Sequence, residues 1–344
     1  MFGNYVRQFA LVFRDETGIS SFTASGEGDF ACGKTLVNFV HDLLRQYDPN
    51  HLVLCEPHHE VVQHPNYYVH EGWKPLLGGV RSYFVDHRPP EAIGVEYRIA
   101  AMGHLFMAEG CFYGYLGGNL HMGPEMPIRA YRRRVRETVY TGFALRNPLL
   151  WTWEERVVED ERRVMAEIRQ LVDWSKPFRT PPLAIRVSAE LMPADRREPL
   201  YRMEDLLSQV PISSLYLWED EPAPPGVQAV WDARQPAEVT QMLTLVREWT
   251  NLLADELPLQ LEPGWACTYS WSEDGTTLLA FLRAKDSDHP ARARLRLRHL
   301  PSMPLNCRVY DLERGQIAVE RRIEREAEVE FGGSPHYFLL VYPQ

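Results

Sequence analysis

Apolar and polar positions follow three different patterns along this chain, and each pattern marks a region. In the first region, apolar runs at residues 9–14, 51–55, 80–85, 105–115 and 148–153 are separated by segments with apolar residues three and four positions apart. The runs predict strands buried on both faces. The spaced segments, residues 34–47, 91–103, 128–141 and 157–174, predict amphipathic helices. Strand and helix in alternation give a parallel sheet with right-handed crossovers. Five such strands fit an open sheet or the later part of a (β/α)8 barrel. The Pro-rich segment Lys176 to Pro182, KPFRTPP, reads as a hinge that ends this region.

The second region opens with the apolar run LAIRV at residues 183–187. A helix at 200–209, strands SLYLW (214–218) and VQAVW (227–231), and a helix around 239–254 follow, which predicts a small α/β module. The third region is all β. A hairpin is expected around Asp274-Gly275, and a second around Arg314-Gly315. Between them RARLRLRHL alternates Arg with Leu, the signature of a strand with one face in a core and one in water. EVEFGGSPHYFLLVYP supplies the last strands, and an antiparallel sandwich is the natural solution. The fold class is therefore α/β. A partial TIM-barrel-like region is expected over residues 1–178, a small α/β module over 183–262 and an antiparallel β-sandwich over 263–344.

Composition narrows the function. The 344 residues are 45% hydrophobic and 24% charged, the ordinary globular balance. A formal net charge of −10 argues against a general nucleic-acid binder. Five cysteines, Cys32, Cys55, Cys111, Cys267 and Cys307, are widely spread and form no CxxC pair. They read as free thiols in a reducing compartment, the cytoplasm. No run approaches the roughly 20 apolar residues of a membrane helix, and the N-terminus lacks a signal-peptide pattern, so no membrane association is expected.

The candidate chemistry lies where apolar runs end. FALVFRDETG delivers Glu16, and HLFMAEGCFYG delivers Glu109, each where the run gives way to small residues. A parallel strand carries functional carboxylates at its C-terminal end in this way. Two carboxylates on one face of a barrel are what glycoside hydrolysis needs. Glu109 has a rival reading, in which residues 91–109 form one helix capped by Gly110. Glu56, at the end of LVLCE, is a reserve carboxylate. The His-rich stretch after it, beginning at His58, reads as a loop lining a polar pocket. Within that stretch His59-Glu60 and His64 form H-E-x-x-x-H, one residue longer than the zinc-protease spacing, and no metal is expected. Gly28 to Thr35, GDFACGKT, matches G-x-x-x-x-G-K-[ST]. A phosphate loop needs a buried apolar strand just before it, and ISSFTASGE is polar, so the segment reads as a loop with Lys34 opening a helix.

The order of five pieces resembles the clan-A glycoside hydrolases, retaining enzymes built on a (β/α)8 barrel. The pieces are Asp15-Glu16, the turn Asp48-Pro49-Asn50-His51, Asp86-His87, Ala108-Glu109-Gly110, and Leu150-Trp151-Thr152-Trp153. They would mark the end of strand four, the entry to strand five and the ends of strands six to eight, and they span about half the chain. The resemblance implies Glu109 as nucleophile and Glu16 as acid/base. It also implies Trp153 as a sugar platform, with His87 and Asp15 hydrogen-bonding sugar hydroxyls. Asp15 stands where that family has Asn, so it accepts but cannot donate. The later regions resemble accessory domains of trimeric β-galactosidases. The implied activity is hydrolysis of a β-linked sugar without a cofactor. Five strands cannot close a barrel, so a second copy or another chain is expected to complete it. The alternative from another class is a non-catalytic carbohydrate-binding or assembly partner that keeps a remnant of the fold.

Overall fold

The computed structural model describes residues 21–25, 52–56, 93–95, 97–98, 128–146, 159–188, 191, 197–234, 238–290 and 292–344. Within them the chain is an α/β protein with an antiparallel β-sandwich. Residues 1–178 are represented by strands β1 (Ser21–Ser25) and β2 (Leu52–Glu56), the helical residues 93–95 and 97–98, and helices α1 (Ile128–Ala144) and α2 (Glu159–Leu171). β1 and β2 pair in parallel, Ser21 opposite Leu52 through Ser25 opposite Glu56. Two parallel strands do not make a barrel, and none is shown among the described residues.

One local reading is corrected here. The polar stretch around residues 21–25 was not among the expected strands, yet SFTAS forms β1. Phe22, Thr23 and the small residues beside them suit extended backbone even without a long apolar run. The expected strands at 9–14, 80–85, 105–115 and 148–153 lie outside the described residues.

The α/β module is a three-stranded parallel sheet in the order β4-β3-β5. Its strands are β3 (Leu183–Val187), β4 (Ser214–Trp218) and β5 (Ala229–Asp232). β3 is central, and Leu183, Ala184, Ile185 and Val187 are fully buried. That double burial is why LAIRV reads as an unbroken apolar run. Helix α3 (Glu198–Gln209) has Pro199 in its first turn, where a missing N–H costs nothing, and buries Leu200, Met203 and Leu207. Helix α4 (Val239–Leu252) buries Met242, Val246 and Trp249, one stripe at four- and three-residue spacing.

The sandwich has two antiparallel sheets. Five strands run β11-β10-β13-β8-β7: β7 (Trp265–Trp271), β8 (Leu278–Ala284), β10 (Leu305–Asp311), β11 (Gln316–Ile323) and β13 (His336–Pro343). Three run β12-β9-β6: β6 (Leu259–Leu261), β9 (Ala293–Leu297) and β12 (Ala327–Phe331). One core lies between the sheets, where Trp265 meets Phe331 edge-on at 5.1 Å. In β9, Ala293, Leu295 and Leu297 enter that core while Arg294 and Arg296 face water and pair with Glu328 and Glu330 of β12. The Arg–Leu alternation is thus the two faces of one strand.

The outer face of the five-stranded sheet is covered as well. Leu279, Phe281, Tyr310, Phe338, Leu340 and Tyr342 belong to a second core, shared with α1, α2 and the α/β module. Tyr140 and Phe143 of α1 lie 5.6 and 6.3 Å from the Phe338 ring. Strands β8 and β13 are therefore buried on both faces, which explains LLAFLRA and HYFLLVY. β11 is the edge, carries Glu320, Arg321 and Arg322, and is mostly exposed, a charged edge that resists pairing with another chain.

The Pro-rich hinge is not free. Phe178 bridges Ser272, Arg179 N–H donates to Trp271 O at 2.8 Å, and Glu273 N–H donates to Pro177 O at 3.1 Å. It runs as an extra edge along the β7–β8 hairpin. Asp274 organises that turn. Its carboxylate accepts from Ser272 Oγ at 2.6 Å, Thr276 N at 2.9 Å and Thr276 Oγ at 2.8 Å, and from Lys176 Nζ at 2.9 Å. Gly275 follows at φ +70°, a conformation that side-chain-bearing residues adopt at a cost.

Partial burial alone would raise the Asp274 pKa, but the hydrogen bonds from Ser272, Thr276 and Lys176 outweigh it and hold the group well below the usual carboxylate range. A depressed folded-state pKa stabilises above the unfolded value, and that contribution is lost as pH falls toward the folded one. The wild type is therefore expected to be more stable than Asp274→Asn at pH 7. The gap should narrow as pH falls from about 4, near the unfolded aspartate pKa, to about 2. Urea midpoints of the two proteins across that range check this, and a gap that widens on acidification would overturn it.

Candidate functional site

β1 and β2 run in the same direction, so their C-terminal ends, Ser25 and Glu56, share one edge. In parallel α/β sheets and barrels that edge carries the chemistry. Glu56 is the last residue of β2 and sits opposite Ser25 in the register. The apolar residues Leu52 to Leu54 make the strand, and Pro57 immediately after it forbids a continued ladder. Of the sequence-predicted site residues, Glu56 is the one the structure places. Asp15, Glu16, His58, His87, Glu109 and Trp153 lie outside the described residues, as do His59, Glu60 and His64. Among the described residues, no group of three His, Cys, Asp or Glu side chains is arranged to hold a metal ion. Cys267 and Cys307 are free and buried, as the sequence led one to expect. Burial pushes the Cys307 thiol up to about 12, against a smaller opposing pull from Arg321, so it stays protonated.

A buried polar junction lies where the first region meets the two later units. Arg98 is 7% exposed and Glu204 of α3 is 4% exposed. Arg98 Nη1 donates to Glu204 Oε1 at 2.8 Å and to Gly94 O at 3.1 Å, and its Nε donates to Ser214 O at 3.0 Å. One guanidinium thus ties the helical residues 93–98 to α3 and to the start of β4. A Cβ on Gly94 would lie 2.7 Å from Glu204 Oε1, so a side chain there would push the carboxylate and guanidinium ends aside. Nearby, His336 Nε2 of β13 lies 3.4 Å from Glu137 Oε1 of α1, both buried, with the imidazole stacked on Phe281. Arg136 Nη1 donates to Glu313 Oε1 at 2.9 Å, and Arg308 pairs with Glu167 of α2.

Glu137 and Glu204, with Thr141, Ser208, Cys267 and Arg283, line a cavity of about 20 Å³. That volume holds about one water molecule. Two buried glutamates in one cavity invite an acid/base reading, but a sugar ring cannot enter. The junction positions the units; it does not turn over substrate. Sequence reading missed it because Arg98, Glu137 and Glu204 sit in helices where charged residues ordinarily face water. The available signal was Gly94 at an interior position of a helical segment, which marks close approach.

No protein-family model matches the chain, and no curated protein matches it. Two solved structures show a likeness of low score. One is α-L-fucosidase isoenzyme 2 from Paenibacillus thiaminolyticus, at 11% identity and a TM-score of 0.23, covering 31% of this chain and 18% of that one. The other is a β-galactosidase from Bacillus circulans sp. alkalophilus, at 8% identity and a TM-score of 0.44, covering 91% of this chain and 66% of that one. This chain thus spans less than two thirds of either protein. The function proposed below rests on this chain's own residues.

Proposed function

We propose that the chain is a retaining glycoside hydrolase acting on a β-linked sugar. Glu109 is the nucleophile and Glu16 the acid/base, and no cofactor takes part. In such enzymes the two carboxyls stand about 5–5.5 Å apart. One attacks the anomeric carbon, while the other protonates the leaving oxygen and then activates water. Glu56, Asp15, His58 and His87 hold sugar hydroxyls, and Trp153 gives a stacking face. The remaining barrel strands come from a second copy or another chain.

The observation that supports this reading best is β2. It follows directly on the Asp48-Pro49-Asn50-His51 turn that the family resemblance assigns to the entry of strand five. It is a parallel strand, as a barrel requires, and it delivers Glu56 at its C-terminal end. Its described neighbour, β1, begins at Ser21, beyond Glu16 in the chain. Hydrolysis of a panel of chromogenic β-glycosides by the intact chain tests the proposal. Folded protein with no turnover on any of them would favour the non-catalytic partner.

One structural observation favours a second reading. β1 ends at Ser25, immediately ahead of the G-x-x-x-x-G-K-T segment, and β2 is its parallel neighbour ending in Glu56. A strand in that place is what a phosphate-binding loop needs. SFTAS is less apolar than such strands ordinarily are, so this reading ranks second. Titration of a fluorescent ATP analogue against wild type and Lys34→Ala separates the two.

A further inference from the structure

A cleft of about 460 Å³ opens between the α/β module and the β7–β8 hairpin. It is of the size that small-molecule sites have. Its walls include Pro181, Pro182, Pro225 and Pro258, whose fixed φ makes the shape largely preformed. Consecutive residues of β7, Tyr269, Ser270 and Trp271, line it as well.

Trp271 is 4% exposed, and its indole N–H is buried with no protein acceptor. The hydroxyl of Ser270 is likewise buried without a partner. A buried donor without an acceptor is costly, and such groups in native proteins ordinarily mark a place where something else bonds. The Arg179 guanidinium lies 3.7 Å above the Trp271 ring and is occupied there by the aromatic face. Glu256 and Glu273, both exposed, add two carboxylates at the rim.

We infer that this cleft is a binding site for a neutral saccharide, separate from the reaction proposed above and not dependent on it. A sugar hydroxyl both donates and accepts. One can take the indole N–H while others give their protons to Glu256 and Glu273. The apolar proline and aromatic wall suits the C–H face of the ring. An anionic ligand would meet two carboxylates against a single guanidinium and is disfavoured.

Isothermal titration of the intact chain with thio-linked β-disaccharides, which resist glycosidic cleavage, tests the site. Trp271→Phe keeps an aromatic side chain, smaller than indole, and removes the N–H, and Glu273→Gln alters only the exposed rim. Each is expected to weaken binding at least tenfold. Circular dichroism checks that Trp271→Phe is folded, and if it is not, Glu273→Gln decides alone. Absence of binding to the wild type, or affinity unchanged in the folded variants, overturns the inference. Sugar held only at the Glu109 centre would give the second result. Failure of hydrolysis leaves the titration unaffected, so the two proposals fail separately.

Discussion

Glu109→Ala is expected to lower turnover of an aryl β-glycoside by roughly 10⁴–10⁶-fold, because removing a covalent nucleophile removes a step rather than a contact. Glu16→Ala should behave differently. An aryl leaving group needs little protonation, so the first step persists, while the second lacks a base for water. Azide needs no base and should restore part of the rate by attacking the glycosyl-enzyme. Glu16 must be protonated for its first task, and the negative Glu109 beside it would raise its pKa. The pH–rate profile of the wild type is then a bell whose acid limb belongs to the nucleophile and whose alkaline limb belongs to the acid. An α-glycosyl azide formed by Glu16→Ala, with the β-glycosyl azide formed by Glu109→Ala, would reverse the two assignments. Equal turnover in wild type and both variants would remove the proposal.

The second large effect concerns stability. Glu204→Ala leaves the Arg98 guanidinium 7% exposed and stripped of its carboxylate. Breaking a buried pair by removing one partner costs about 3–5 kcal/mol. Denaturant unfolding should report a loss of that size at unchanged slope. Arg98→Met with Glu204→Leu should recover part of it, since both charges leave together. The recovery is incomplete because the carbonyls of Gly94 and Ser214 lose their donor. Glu313→Ala is the control: its partner Arg136 is buried, but Glu313 itself reaches water, and a smaller cost is expected. A loss below about 1 kcal/mol in Glu204→Ala would mean that water reaches Arg98.

Much of the later architecture was legible because burial there is regular. LAIRV and SLYLW appear as β3 and β4 at the expected residues, since both are apolar runs closed by turns. Both expected hairpins, around Asp274-Gly275 and Arg314-Gly315, appear because their turns need a left-handed glycine and a side-chain acceptor. Asp274 and Gly275 meet that need in one, Asp311 and Gly315 in the other. The strand at Ser21–Ser25 was not legible, since Phe22 is its one large apolar residue and the alternation around it is carried only by Ala24. The pinning of Lys176 to Pro182 along β7 was not legible either: a proline-rich segment reads the same whether free or bonded. The candidate site was legible only as chemistry, as carboxylates at the ends of apolar runs. Of these Glu56 stands at a described strand end.

The five-stranded sheet, with one face in the sandwich and the other under α1 and the α/β module, belongs to two cores at once. Neither core can dissolve without exposing a face of the same strands, so heat should melt both in a single transition. For the same reason residues 263–344 expressed by themselves would present Phe281, Phe338, Leu340 and Tyr342 to water and associate through them. The sandwich is a unit of topology, whereas the unit of folding reaches back at least to Ile93, Val95 and Tyr97.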